Sequence, residues 1–114
     1  LQDALDLVTD QSRYENEIID KPASREECKK LLNSDQDAIA FRYVRTSGQY
    51  EGQHFIVFTD DSLLRLLKRV GMTKELYGPF KERALKAGAM VMKSASARFG
   101  SLSLNGFWFY DQKF

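Results

Sequence analysis

The dipeptide Asn105-Gly106 constrains this chain more than any other feature. It separates two apolar runs, "SLSL" and "FWFY". Asn-Gly in that setting is a strong hairpin signal, because both central residues of a type I′ turn take positive φ. The preceding "AMVMKSASARF" reads as an extended strand, and "FGS" turns the chain. The last quarter of the sequence is therefore expected to form a small antiparallel meander, with Asn105 and Gly106 at its final turn. Residues 107–110 are four consecutive aromatics. Side chains alternate along a strand, so Phe107 and Phe109 face one way and Trp108 and Tyr110 the other. One pair should be core. The other needs a cover: a helix, the N-terminal segment, a partner protein or a stacked base. Packing in the core is the expectation for Trp108.

Upstream, blocks of helix and strand alternate. Leu1, Ala4, Leu5 and Val8 recur near helical spacing, so residues 1–22 are read as a peripheral helix or linker, interrupted by Pro22. Ser24-Arg-Glu-Glu27 is a capping-box pattern that opens a short helix. Residues 38–45 alternate Ile39, Phe41 and Tyr43 with Ala40, Arg42 and Val44, and "HFIVF" (54–58) is an apolar run of strand length. The two read as a hairpin with a long loop between them. Thr59-Asp-Asp61 supplies cap oxygens for a helix from Ser62 to Val70, which Gly71 stops. A further helix is capped at Thr73, broken or restarted at Gly78-Pro79, and ended at Gly88. Helices, hairpin, helices and meander in separate blocks indicate an α+β fold. Residues 62–111 taken alone have the element order of a winged helix-turn-helix.

A chain of 114 residues is one domain, large enough to fold without disulfides or metal. It starts at Leu1 and is expected to be a domain excised or processed from a larger protein. No apolar run is long enough for a membrane span, so no membrane association is expected. The single Cys28 admits no internal disulfide, which fits an intracellular location, cytoplasmic or nuclear. One Cys and one His cannot build a Cys/His zinc site. No Walker loop, dinucleotide fingerprint, nucleophile elbow or zincin motif is present, so no cofactor is expected. Asp60 and Asp61 sit where helix caps belong, and that explains them better than metal ligation.

Charge is the largest functional signal. Residues 1–61 carry seven Lys/Arg against thirteen Asp/Glu, and residues 62–114 carry ten against three. Either the halves neutralise each other, or the basic half faces an anionic partner. Arg65 and Arg69 stand four residues apart beside a leucine stripe. With Lys81, Lys86, Lys93 and Arg98 they make a phosphate-binding set, and nucleic acid, DNA or RNA, is the expected partner. A protein-interaction or assembly domain is the first alternative. The second is a metal-free ribonuclease, in which the lone His54 acts as base with Arg42, Arg45 and Tyr50 around it. A binding module is favoured over an enzyme.

Overall fold

The computed structural model describes residues 1–20, 24–34, 37–92, 98–99, 102–103 and 105–112. Four helices, α1 (Gln2–Thr9), α2 (Arg25–Ser34), α3 (Asp60–Leu67) and α4 (Lys74–Lys86), pack on a five-stranded sheet. Its strands are β1 (Ile18–Ile19), β2 (Ala40–Val44), β3 (His54–Thr59), β4 (Met90–Met92) and β7 (Gly106–Tyr110), in spatial order β1-β2-β3-β7-β4. β1 runs parallel to β2, and every other neighbouring pair is antiparallel. β5 (Arg98–Phe99) and β6 (Leu102–Ser103) pair with each other in a separate two-stranded sheet. The fold is α+β. Among the described residues no helix is long and apolar enough to cross a membrane.

Strand alternation divides the core in two. Ile56 and Phe58 of β3, with Phe107 and Phe109 of β7, face α1, α3 and α4; Leu63, Leu66, Leu67, Phe80 and Ala84 close that side. Phe41, Phe55, Val57 and Trp108 form the opposite face, covered by Cys28 and Leu32 of α2. Of the second aromatic pair, Trp108 is covered by α2, while Tyr110 stays 46% exposed. Residues 1–22 were expected at the periphery. Instead, Ala4, Leu7 and Val8 of α1 are buried in the larger core.

Helix starts follow their caps. Ser24 Oγ accepts from the Glu27 N–H at 3.1 Å. Thr59 and Ser62 cap α3 reciprocally, each hydroxyl accepting the other's backbone N–H at 3.1 Å. The cap is therefore Thr59 alone, and Asp60 and Asp61 lie in the first turn. α4 differs from its expected break, because it runs unbroken through Pro79. Proline there removes one N–H. Pro79 is exposed while Phe80 and Ala84 are buried, so the lost bond falls on the solvent side and packing holds the helix together.

The C-terminal strands are antiparallel as expected, but Asn105-Gly106 does not join two paired strands. β6 pairs with β5, and β7 inserts between β3 and β4. Neither Asn105 nor Gly106 has positive φ. Gly106 is required for a different reason: a Cβ there would lie 1.8 Å from the Phe58 carbonyl oxygen. Because β7 shares its sheet with β2 and β3, residues 62–111 are not a separate winged-helix unit.

Candidate nucleic-acid interface

Three strands set one row of rings. Tyr43 of β2 is in register with Phe55 of β3, and Phe55 with Tyr110 of β7. The next rung, Phe41, Val57 and Trp108, lies under α2. Phe55 is fully buried, with its ring centroid 5.3 Å from Trp108, 5.2 Å from Tyr110 and 6.3 Å from Tyr50. Tyr50 comes from the loop between β2 and β3. Tyr50 and Tyr110 remain 39% and 46% exposed, so two phenol rings flank Phe55 at the open end of the sheet face. Tyr43 meets Trp108 edge-on at 5.2 Å.

Two arginines converge on this patch. Arg45, just past β2, holds its guanidinium 5.4 Å from the Trp108 ring centroid. Arg25, in the first turn of α2, reaches the same ring at 5.9 Å and Tyr43 at 5.7 Å. Each stacking contact contributes about 0.5–1 kcal/mol at an exposed site. Among the described residues Arg45 has no carboxylate within ion-pair distance, and Arg25 has only Glu26 at 3.9 Å. Two like charges are therefore gathered over one indole with little neutralisation.

Three of the six residues expected to grip phosphate are occupied within the chain. Arg65 donates to the backbone carbonyls of Leu32 and Ala38, the latter at 3.1 Å, and so ties α3 to the approach to β2. Arg69 forms a two-pronged pair with Glu17, at 2.9 and 2.5 Å. That pair holds the Glu17 carboxyl below its ordinary value. Lys81 lies over the Tyr77 ring at 4.8 Å and 3.7 Å from Asp60, which also accepts the Tyr77 hydroxyl at 2.7 Å. Lys86 is exposed at the end of α4. Arg98 lies on β5, and Lys93 falls outside the described residues. The charge split between the halves is thus partly spent inside the chain, through Glu17–Arg69 and Asp60–Lys81.

The ribonuclease set does not assemble. By strand parity Arg42 and His54 belong to one face of the sheet, while Arg45 and Tyr50 pack on the other. Arg42 is also engaged by three carboxylates, Asp111 at 2.8 Å, Glu15 at 2.6 Å and Asp20 at 2.5 Å.

Burial, and then the Glu27 carboxylate, push the buried Cys28 thiol above its ordinary value, which disfavours its thiolate. Among the described residues no group of three or more His, Cys, Asp or Glu is placed to hold a metal. A shallow cleft of about 170 Å³ between Val8, Ala87, Gly88 and Phe109 has no charged side chain in its lining. Sequence reasoning missed Arg25, which it read only as part of a cap, and the pairing of Tyr43 with Tyr110 across Phe55. The alternation in residues 38–45 placed Phe41 and Tyr43 on one face, but only the strand order brings β7 beside them. Compared with known proteins, the chain matches no family model, no curated protein and no solved structure.

Proposed function

We propose that this chain is a nucleic-acid-binding module, and that its ligand is single-stranded RNA or DNA held on the open end of the β2–β3–β7 face. One observation carries the reading: Arg25 and Arg45 stack on Trp108 with little carboxylate compensation, beside the exposed rings of Tyr50 and Tyr110. Guanidinium groups take phosphate oxygens, and exposed aromatic faces stack on bases that are free of a duplex. Duplexes offer phosphates but no unstacked bases, which is why single strands are the preferred ligand. The assembly-domain alternative needs the charge split to be available to a partner. Glu17–Arg69 and Asp60–Lys81 count against it. An intracellular setting, cytoplasmic or nuclear, goes with this ligand and with a lone, buried free thiol.

The test is fluorescence anisotropy with labelled single-stranded RNA, single-stranded DNA and duplex DNA at two salt concentrations. Single strands should bind more tightly than duplex. Log affinity should fall with log salt by about 0.7 for each phosphate neutralised. No binding of any of the three at low salt would sink the reading.

A further inference from the structure

We infer that the cleft beside the end of β7 is a pocket for one nucleobase, held by the backbone N–H and C=O of Tyr110. The inference rests on the nucleic-acid reading above for the source of that base. Its starting point is the sheet register. Asp111 donates its N–H to the His54 carbonyl at 3.1 Å, and Asp60 donates to the Asn105 carbonyl at 2.7 Å. Those two bonds fix which pairs of the β3–β7 ladder exchange hydrogen bonds: Ile56 with Phe109, and Phe58 with Phe107. The intervening residues of β7, Gly106, Trp108 and Tyr110, turn their N–H and C=O the other way, toward β4. Met92 and Met90 meet the first two. β4 begins at Met90, so Gly88, which would meet Tyr110, lies outside the strand. The N–H and C=O of Tyr110 are thus left without a ladder partner among the described residues.

These two groups open onto the cleft of about 170 Å³, which Gly88, Ala89 and Tyr110 help to line. Val8, Ala89 and Phe109 form its apolar wall. Thr9 and Gln112 form the rim, tied together by the Gln112 amide donating to the Thr9 carbonyl. A Cβ built on Gly88 would meet no atom within 4 Å, so the approach past it is clear. The lining carries no charged side chain, so it offers a phosphate no countercharge and suits the neutral part of a nucleotide. Pockets for drug-sized ligands hold about 300–1,000 Å³, so this smaller one takes a single ring system. Every nucleobase has an edge where an acceptor adjoins an N–H donor, which complements the N–H and C=O of one strand residue. An added peptide strand would need several open residues in a row, and here Trp108 and Gly106 already face β4. The Tyr110 ring packs on Phe55, on the face proposed to stack bases, so a strand crossing the end of β7 reaches both places.

The experiment follows labelled wild type and Ala87→Leu by two-dimensional amide NMR during titration with free adenosine, guanosine, cytidine and uridine, which carry no phosphate. Ala87 is exposed and lines the cleft, so leucine there narrows the pocket without entering the core. Circular dichroism verifies the fold. At least one nucleoside should shift the amides of Thr9, Gly88, Ala89, Tyr110 and Gln112 in wild type and not in Ala87→Leu. Bound nucleoside should also slow hydrogen exchange at the Tyr110 N–H by about three- to tenfold, the scale of one net amide hydrogen bond, and this readout needs no variant. In a second arm, anisotropy should show Ala87→Leu binding a single-stranded oligonucleotide at least about fivefold more weakly than wild type, the low end of the loss of one held base. If no nucleoside moves these amides while the oligonucleotide binds wild type, the pocket is overturned and the nucleic-acid reading stands. Shifts that persist in Ala87→Leu would overturn it as well. A capped tetra-alanine peptide that moves these amides where nucleosides do not would overturn it in favour of strand addition. Nucleoside shifts with no oligonucleotide binding would uphold the pocket and sink the strand as the source of its base.

Discussion

Replacing Gly106 with alanine should be the most destructive single-methyl change in the sheet. The added Cβ would lie 1.8 Å from the Phe58 carbonyl oxygen and 2.8 Å from both the Phe58 carbonyl carbon and the Thr59 Cα. All three atoms are backbone, so no rotamer change relieves the contact. Favourable contact begins near about 3.5 Å, so β7 and β3 would have to part locally by about 1.5 Å. A separation of that size exceeds what a backbone hydrogen bond tolerates. It would break the Asp60 N–H bond to the Asn105 carbonyl, 2.7 Å long, and loosen the Phe58–Phe107 pairing beside it. Each buried backbone group left unmet costs about 1–3 kcal/mol, so the expected loss is about 3–5 kcal/mol. Domains of this size have about 5–15 kcal/mol in total. At about 4–8 °C per kcal/mol, Tm should drop by about 12–40 °C. The assay is thermal and urea unfolding followed by circular dichroism and by the emission of Trp108, the single tryptophan. Gly71→Ala is the control: φ is +84° there and the space around it is open, so only backbone strain of about 1–2 kcal/mol applies. If Gly106→Ala loses no more than Gly71→Ala, the close approach of β7 to β3 is wrong.

Further outcomes follow from the same contacts. Arg65→Ala removes the donor to the Leu32 and Ala38 carbonyls and should destabilise by about 1–3 kcal/mol in urea, with no change in nucleic-acid affinity. Asp111→Ala removes the one fully buried partner of Arg42; because Glu15 and Asp20 remain, the loss should sit near the lower end of the about 3–5 kcal/mol seen for broken buried pairs. Glu17 has a folded pKa below its unfolded value, chiefly through its hydrogen bond to Arg69. Its stabilisation is therefore present above about pH 4.3 and lost as pH falls through the depressed folded value. Glu17→Gln should be less stable than wild type at pH 6, and the gap should close on acidification. Tyr14 and Tyr77 are both pushed well above the ordinary tyrosine range, first by burial and then by nearby carboxylates, Asp111 for Tyr14 and Asp60 for Tyr77. The fold favours their neutral form, so this stability is present below about pH 10 and lost above it. An ultraviolet titration should show both ionising only as the protein unfolds in alkali.

Much of the local structure was legible because local chemistry decides it. Ser24 and Thr59 announce helix starts, Gly71 and Gly88 announce stops, and alternation in residues 38–45 and 54–58 places β2 against β3. Asn105-Gly106 misled because turn chemistry reports local bending and not strand partners. β7 carries apolar side chains on both faces, and it lies between β3 and β4, with helices on either side. Pro79 misled for a related reason: propensity counts the lost hydrogen bond but not the burial of Phe80 and Ala84. The candidate site was harder to read. Helical spacing put Arg65 and Arg69 on one face, but it could not show that this face meets the Leu32 and Ala38 carbonyls and Glu17. Net charge likewise counts paired and unpaired cations alike. Arg42 looked as available as Arg45, and only the sheet register separates the arginine with three carboxylates from the one resting on an indole.

The most direct test of the binding surface is a two-dimensional amide NMR titration of the labelled protein with a single-stranded oligonucleotide at low salt. Shifts should concentrate at Arg25, Tyr43, Arg45, Tyr50, Phe55, Trp108 and Tyr110, the residues around the open end of the sheet face. They should be absent from Arg65 and Arg69. Shifts confined to α3 and α4, or no shifts at all, would contradict the account.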